Sequence, residues 1–489
     1  MGVSVFWAPP PASPKPASEA RPAGFATFLL CPIDPNKNAG YFGGMDTGII
    51  LNEKELREAR TRVAAFDEAL ATERSLSRVV EGLPPEVVKQ VAATMRSERA
   101  DLSDAIEAYE AAKETGKPAH LETRADRDPG LMLIVARIAK GFSQRDLAWR
   151  LGLKEQQVQR YEADRYNSIS MKNYARVAAL LGVRLSAAIE PDPQFRGLDM
   201  VIDNVTKSDI KKILKHGRDH GWFGADMTED QLRRLIAENR IDFGSPTLLR
   251  TGLNVNDHSE DILLHAWRAR VATRAAEIIA KGVARYNPAE TGWLGELSKL
   301  SIHGDGPKRA QQLLLDNGVV LVAERQIQGL AIDGAAFIVN SVPVIGLTLR
   351  RDDIGNFWFS LLHEVGHVVL HRLTGLRGGF FDQFREGEAE PEDLDDQEAQ
   401  ADAFASNMLV PDELWRRSPA RIAKSPKVIE KFAKDIGIHS AIVYGRIRKE
   451  RNDYSLFSQK IGGKTVRKQL IEQPDKEKND AAISSSTAI

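Results

Sequence analysis

The stretch LLHEVGHVVLHR, residues 361–372, combines an apolar helical pattern with three histidines spaced four residues apart. Its centre, HEVGH, fits the pattern H-E-x-x-H. On a helix, residues four apart lie on one face about 6 Å apart along the axis, so His363 and His367 can face one cation. The intervening Glu364 is then placed to act as the general base for an attacking water. With 10 histidines and 68 acidic residues in the chain, only about 0.03 chance matches are expected, which favours a metal site over the alternative of a buried histidine pair.

A catalytic zinc site needs a third protein ligand and an open position for water. His371 is unsuitable because it lies eight residues after His363, a rise of about 12 Å on a continuous helix. We therefore expect His371 to support another residue or to lie at the surface. A better ligand is in DDQEAQADAFASNMLVP, residues 395–411, where Glu398 and Asp402 share one helix face. Glu398 would bind the metal and Asp402 would accept a hydrogen bond from a ligand histidine; the alternative is two solvated carboxylates.

The segment before this helix is strongly acidic. GEAEPEDLDDQE, residues 387–398, is interpreted as a solvated loop, with a self-shielding flap as the alternative. Asp395 or Asp396 is expected to cap the helix that follows, because aspartate is a favoured N-cap residue.

RRDDIGNFWFSLLHEVGHVVLHR, residues 350–372, followed by EAQADAFASNMLVP, residues 398–411, resembles the ImmA/IrrE family of zinc metallopeptidases. That family is marked by HExxH and then by E-x-x-A-[ND]-x-F-A with a Leu/Val-Pro ending. The resemblance covers about 291–458 and implies a zincin-like α+β peptidase domain. The resemblance also implies a bound Zn²⁺ ion and gives Glu364 the role of general base. The implied zinc ligands are His363, His367 and Glu398.

The second informative stretch is LMLIVARIAKGFSQRDLAWRLGLKEQQVQRYEADRYNSISMKNYARVAALLGV, residues 131–183. Ser143 and Asp146 form the capping-box pattern that marks a helix start. Gly152 then permits a tight turn to a second helix over 154–163. Two helices joined by a short glycine-containing turn are typical of a helix-turn-helix unit.

The helix over 154–163 presents Gln156, Gln157 and Arg160 outward near its start, where a recognition helix meets base edges. Glutamine suits adenine and arginine suits guanine as bidentate partners. Residues 131–165 contain seven basic and four acidic residues, a modest local excess. A helical protein–protein module of the same fold is the alternative.

The SQxxLA, LG and VxxxE elements of this stretch resemble the Cro-type (Xre) helix-turn-helix family. The resemblance implies a DNA-binding domain over about 125–192 with a double-stranded DNA operator as partner. It adds Gln144, from SQxxLA, to the expected DNA contacts. A homodimer is possible, since such modules usually read two half-sites. Together with an amphipathic helix at 50–71, the unit is similar to antitoxins of the HigA type.

The composition excludes several classes of protein. A length of 489 residues indicates several domains, and a net charge of -1 excludes a global basic field, so DNA contacts must be local. The single cysteine, Cys31, excludes an internal disulfide and a cysteine zinc cluster and fits a reducing cytoplasm. No apolar run approaches the ~20 residues that a membrane helix needs, so no membrane partner is expected.

The predicted fold is mainly α and multidomain: an all-α helix-turn-helix domain plus an α+β zincin-like metallopeptidase domain. Strands are expected at 318–324, 334–339 and 343–349, and an extended substrate could pair with an edge strand such as 343–349. The predicted segments are a disordered leader (1–44), a helical N-terminal region (45–120), the helix-turn-helix domain (125–192), a helical connecting region (193–290), the peptidase domain (291–458) and a disordered tail (459–489).

Two functional hypotheses follow. In the first, a DNA-binding regulator of antitoxin or stress-response type carries a zinc-dependent endopeptidase that cleaves a repressor or a toxin-like partner protein. In the second, a catalytically silent antitoxin or transcriptional repressor uses the peptidase fold as a protein-binding scaffold. The complete set of His363, Glu364, His367 and Glu398 favours chemistry, because a scaffold would not need Glu364.

Overall fold

The structure is a computed structural model that describes residues 49–117, 129–167, 169–184, 206–224, 226–232, 248–249, 262–372 and 391–471. The predicted leader lies outside these residues, as do residues 472–489 of the predicted tail. The expected combination of an α-helical helix-turn-helix domain with an α+β domain is confirmed.

The described chain begins with three helices that pack as an N-terminal unit. They are α1 (Glu53–Leu70), α2 (Glu73–Val79) and α3 (Pro85–Thr115). The Asn52 side chain caps α1 by accepting from the backbone N–H groups of Lys54 and Glu55. α3 ends at Gly116, whose φ of 66° suits a residue without a Cβ atom. The helix that the sequence predicted at 50–71 is therefore present.

The helix-turn-helix unit follows. It consists of α4 (Pro129–Ala139), α5 (Gln144–Leu151), α6 (Glu155–Ala163) and α7 (Met171–Leu181). The predicted capping box of Ser143 and Asp146 is present, and Gly152 ends α5 with a φ of 67°. The buried Arg137 of α4 donates to Glu162 of α6 and to the Leu51 carbonyl, at 2.6 and 2.7 Å. This guanidinium fixes the helix-turn-helix unit to the N-terminal unit.

Within the described residues, a four-stranded sheet organises the second half of the chain, in the order β1-β3-β4-β2. Its strands are β1 (Leu248–Leu249), β2 (Val320–Ala323), β3 (Gly334–Val339) and β4 (Val342–Leu347). β3 and β4 form an antiparallel hairpin whose turn residues, Asn340 and Ser341, both have positive φ, as a two-residue hairpin turn of type I′ requires. β2 pairs parallel to β4, and β1 pairs antiparallel to β3.

This order corrects the expectation that residues 343–349 form an edge strand for a substrate. β4 is paired on both sides, by β3 and by β2, so its backbone groups are already used. The hydropathy pattern predicted the strand but could not reveal its neighbours, because strand order depends on pairing between distant segments.

Two layers of helices cover the sheet. The connecting region supplies α8 (Lys207–Asp219) and α9 (Ile262–Ile279), and Trp267 and Val271 of α9 lie directly against Gly346 of β4. The other layer contains α12 (Ile354–Leu370), which contacts β3 and β4. The connecting region therefore also supplies the edge strand β1 and one cover of the sheet, so the structural unit begins before the predicted boundary at 291.

Further helices complete the C-terminal half. They are α10 (Leu294–Leu297), α11 (Gly306–Asp316), α13 (Pro391–Leu409), α14 (Asp412–Arg417), α15 (Pro426–Ile436), α16 (Ser440–Glu450) and α17 (Val466–Leu470), with 3-10 turns at Ser298–Ile302, Pro419–Arg421 and Ser458–Lys460. A continuous apolar core joins α12 and its neighbours to the N-terminal unit and to the helix-turn-helix unit. α3 bridges them, because it contacts α4, α12 and α13.

Two further boundaries differ from the prediction. The disordered tail was placed at 459–489, but residues 459–471 belong to the fold: Val466 and Leu470 are buried, and Asp352 accepts from the backbone N–H groups of Val466 and Arg467. α13 begins at Pro391, so Asp395 and Asp396 lie inside the helix and do not cap it. Residues 391–398 of the acidic segment are accordingly helical and not a loop.

Among the helices that the structure describes, none is both long enough and apolar enough to cross a membrane.

Candidate metal centre

The histidine motif lies in the middle of α12. The Asp353 side chain caps this helix by accepting from the backbone N–H of Asn356 at 2.7 Å. From that start, His363, Glu364 and His367 fall on the side of the helix that is covered by neighbouring elements, and all three side chains are buried. The helical spacing predicted from H-E-x-x-H is therefore present.

Glu398 joins the two histidines from α13. Its two carboxylate oxygens lie 3.2 Å from His363 Nε2 and 3.2 Å from His367 Nε2, and the two ring nitrogens are 3.0 Å apart. Nitrogen and oxygen ligands held tetrahedrally at ~2.0–2.1 Å from one zinc ion would lie about 3.3 Å from each other. The three donor groups therefore fit one ion. Among the residues that the structure describes, this set of two histidines and one carboxylate leaves one of four tetrahedral positions for water, as in catalytic zinc sites.

The second ring nitrogen of each of the two histidines also has a partner. His363 Nδ1 lies 3.0 Å from Asp402 Oδ1, and Asp402 Oδ2 accepts from Lys449 Nζ at 3.0 Å. His367 Nδ1 lies 3.1 Å from Nδ1 of the buried His371. Partners of this kind orient the rings of metal-binding histidines. Asp402 occupies the supporting position that the sequence predicted for it, and His371 lies behind His367.

The electrostatics of the cluster favour a cation. Burial opposes ionisation of Glu398, but its hydrogen bonds with His363 and His367 outweigh burial and lower the Glu398 pKa. The Asp402 pKa is lowered in the same way, against burial, by His363 and Lys449. Burial likewise opposes protonation of His363, yet Asp402 and Glu398 raise the His363 pKa. Carboxylates that stay ionised beside two histidines attract positive charge, which suits a divalent cation at this point.

Glu364 lies against the first residue of strand β3. A Cβ atom on Gly334, the first residue of β3, would lie 2.7 Å from Glu364 Oε1. The backbone of β3 thus approaches the carboxylate as closely as glycine alone permits. The carboxylate lies next to the ligand histidines on the same helix and is fully buried. This position suits a group that accepts a proton beside the open metal position.

The four side chains predicted to contact DNA differ in whether they face solvent or bond within the domain. Gln156 and Arg160 are exposed on α6. The Gln157 side chain accepts from the Lys154 backbone N–H at 3.0 Å, and Gln144 Nε2 donates to Glu162 at 2.8 Å. The last two side chains are therefore already used within the helix-turn-helix unit, whereas Gln156 and Arg160 project toward solvent.

Some residues around the site could not be found from the motif alone. Three of them contact the site from segments that are distant in sequence: Gln400, Lys449 and Gly334. The fourth, His371, lies one helical turn after His367. That spacing is the signal for His371, which the sequence predicted either to support another residue or to lie at the surface; it is buried against His367.

Comparison with known protein families supports both halves of this description. The helix-turn-helix family matches residues 133–187, and the peptidase family described as the IrrE N-terminal-like domain matches residues 322–447. The chain combines a DNA-binding domain with a peptidase-type domain. The peptidase-type domain contains all three members of the histidine–glutamate cluster, and the DNA-binding domain contains α5 and α6. No match was found among the curated proteins or among the solved structures.

Proposed function

We propose that this protein is a transcriptional regulator whose peptidase-type domain is a zinc-dependent endopeptidase that cleaves a partner protein. The convergence of His363, His367 and Glu398 on one point, with Glu364 beside them, carries the proposal. Burying several titratable groups together costs free energy unless they are paired or bind a metal, and a bound cation would satisfy the three ligand groups at once.

His363 Nε2, His367 Nε2 and the Glu398 carboxylate would hold the ion. When bound there, zinc supplies Lewis acidity that polarises a peptide carbonyl and acidifies water. Glu364 takes the proton from the attacking water on its carboxylate and passes it to the leaving amine. Its burial excludes bulk water from competing for that proton. Asp402 and His371 hold the two histidine rings in place during the reaction.

The sheet suggests how a substrate segment would reach this site. β1 pairs with Ala335 and Ala336 of β3 and runs toward Gly334, the residue next to Glu364. An extended peptide that pairs with β3 beside Glu364 would have to take the position of β1. We therefore propose a substrate that presents an extended segment, such as a repressor or a toxin-like partner.

The DNA-binding domain would direct this activity to a regulatory complex. Gln156 and Arg160 would contact base edges of a double-stranded operator, and a homodimer would match two half-sites. α3 joins the DNA-binding domain to α12 and α13. Arg372, which follows α12 and is 11% exposed, donates to Glu98 of α3. We propose an antitoxin or stress-response role in the cytoplasm, where such an operator would lie.

The proposal is tested by comparing the total cellular protein of cells that carry the wild type with that of cells that carry Glu364→Ala. Mass spectrometry of new protein termini should reveal at least one cleavage product that depends on Glu364. Glu413→Ala, which changes an exposed glutamate of α14, should give the wild-type set of termini. Identical termini in all three strains would contradict the endopeptidase and support the silent scaffold.

A further inference from the structure

We propose that His371 and Gln400 form a hydrogen-bond relay that fixes the ring tautomer of His367 for metal binding. This inference rests on the proposed metal site and identifies two positioning residues within it. His371 Nδ1 lies 3.1 Å from His367 Nδ1, and His371 Nε2 lies 3.2 Å from Gln400 Oε1. His371 is only 4% exposed, so its ring nitrogens have little access to water.

The proton positions along this chain follow from counting donors and acceptors. A metal on His367 Nε2 needs the lone pair of that atom, so the ring proton of neutral His367 must be on Nδ1. His371 Nδ1 must then accept that proton. A neutral His371 consequently carries its own proton on Nε2, which faces the Gln400 carbonyl oxygen. This is the arrangement in which both hydrogen bonds, His367 to His371 and His371 to Gln400, have one donor and one acceptor.

The relay gives α13 a second role in the site. Glu398 supplies a ligand, Asp402 contacts His363 directly, and Gln400 contacts His367 through His371. These three residues alternate along α13, and each contacts either a ligand histidine or the histidine behind one. α13 therefore both closes the ligand set and orients both histidine rings.

The backbone places His371 for this task. The residue follows the last turn of α12, and its N–H donates to the His367 carbonyl at 3.0 Å. Arg372, the next residue, donates to Glu98 of α3 and is itself largely buried. The end of α12 is thus held on both sides, which leaves the His371 ring little freedom to turn away from His367.

Zinc affinity of the purified full chain, measured by competition with a chelator, tests the relay. His371→Leu removes the acceptor and should weaken zinc binding about 10–100-fold, as loss of such a partner typically does. In His371→Asn the Oδ1 atom stands where Nδ1 stood and can accept the same hydrogen bond, so affinity should stay within about threefold of wild type. Equal losses in both variants, or wild-type affinity in both, would overturn the proposal.

A second readout observes the tautomers directly and does not require a folded His371 variant. In zinc-loaded protein with ¹⁵N-labelled histidine, nuclear magnetic resonance should show the His371 proton on Nε2 and the His367 proton on Nδ1. A His371 proton on Nδ1 would overturn the relay. Failure of the relay and failure of the metal site are distinguishable, because wild-type protein that binds no zinc contradicts the proposed function itself.

Discussion

Gly334 at the start of β3 lies against the Glu364 carboxylate, with room for a hydrogen atom but not for a methyl group. A Cβ atom there would be 2.7 Å from Glu364 Oε1 and 2.9 Å from Leu347 Cδ2. Both are the far ends of flexible side chains, so the protein can accommodate the clash by moving them. The movement would displace the carboxylate from its position beside the metal ligands.

Gly334→Ala should therefore impair catalysis more than stability. We expect about a 10²-fold loss of cleavage rate, the scale of a displacement of about 1 Å in an active site, with zinc content unchanged. The rate is measured on the Glu364-dependent product, and zinc by elemental analysis. Gly304→Ala is the matched control, because a Cβ atom at Gly304 meets no atom within 4 Å. Wild-type cleavage by Gly334→Ala would show that this contact does not position Glu364.

The metal content follows from the ligand set. Purified protein should contain one zinc ion per chain, and His367→Ala should lose most of it, because two remaining ligands bind zinc weakly. His303→Ala changes an exposed histidine outside the cluster and should retain zinc. An unchanged zinc content in His367→Ala would remove the assignment of the cluster.

The DNA-binding domain makes a separate prediction. Arg160→Ala should weaken binding to the specific operator by about 1–3 kcal/mol, because Arg160 is exposed on α6 and arginine reads guanine through two hydrogen bonds. Arg416→Ala changes an exposed arginine of α14 and should bind as the wild type does. A gel-shift titration on operator and random duplexes measures both. An equal loss on random DNA would make Arg160 a phosphate contact and not a base contact.

Stability should depend on pH through Glu55. Burial raises the pKa of this carboxyl from 4.5 to about 7, although the Leu51 N–H donates to it at 2.8 Å. Between these two values the unfolded chain ionises while the folded protein keeps the proton, so the free energy of unfolding falls as pH rises through that window. The loss should be about 1–3 kcal/mol between pH 4.5 and pH 7.

Denaturant unfolding at several pH values measures this effect. Glu55→Gln cannot ionise, so its stability should fall less than that of the wild type between pH 4.5 and pH 7. Glu86→Gln, an exposed surface control, should follow the wild type. Parallel pH profiles for Glu55→Gln and the wild type would exclude Glu55 as the source.

The sequence revealed the parts of the site that depend on local spacing. Two pairs are spaced by about one helical turn, so the helix alone places each pair on one face. They are His363 with His367, and Glu398 with Asp402. Glu364 is found because it lies between the two histidines of the motif. The capping box at Ser143 was visible for the same reason. Contacts between distant segments were not visible: β1 on β3, α9 against Gly346, and Gln400 against His371 all depend on tertiary packing.

The central claim is that regulation proceeds through proton transfer at Glu364. Glu364 is not a metal ligand in this account, so Glu364→Gln should keep zinc, fold and operator affinity. Glutamine has the size of glutamate and can hydrogen-bond the attacking water, but it cannot take its proton, which typically costs about 10²–10⁴-fold in rate.

Transcription from the regulated operator, compared in cells that carry the wild type, Glu364→Gln or no copy of the protein, tests this claim most directly. We predict that Glu364→Gln fails to produce the regulatory response of the wild type, even though the purified variant retains zinc and binds the operator with unchanged affinity. A variant that regulates transcription as the wild type does would contradict the peptidase account and leave the peptidase-type domain as a protein-binding scaffold.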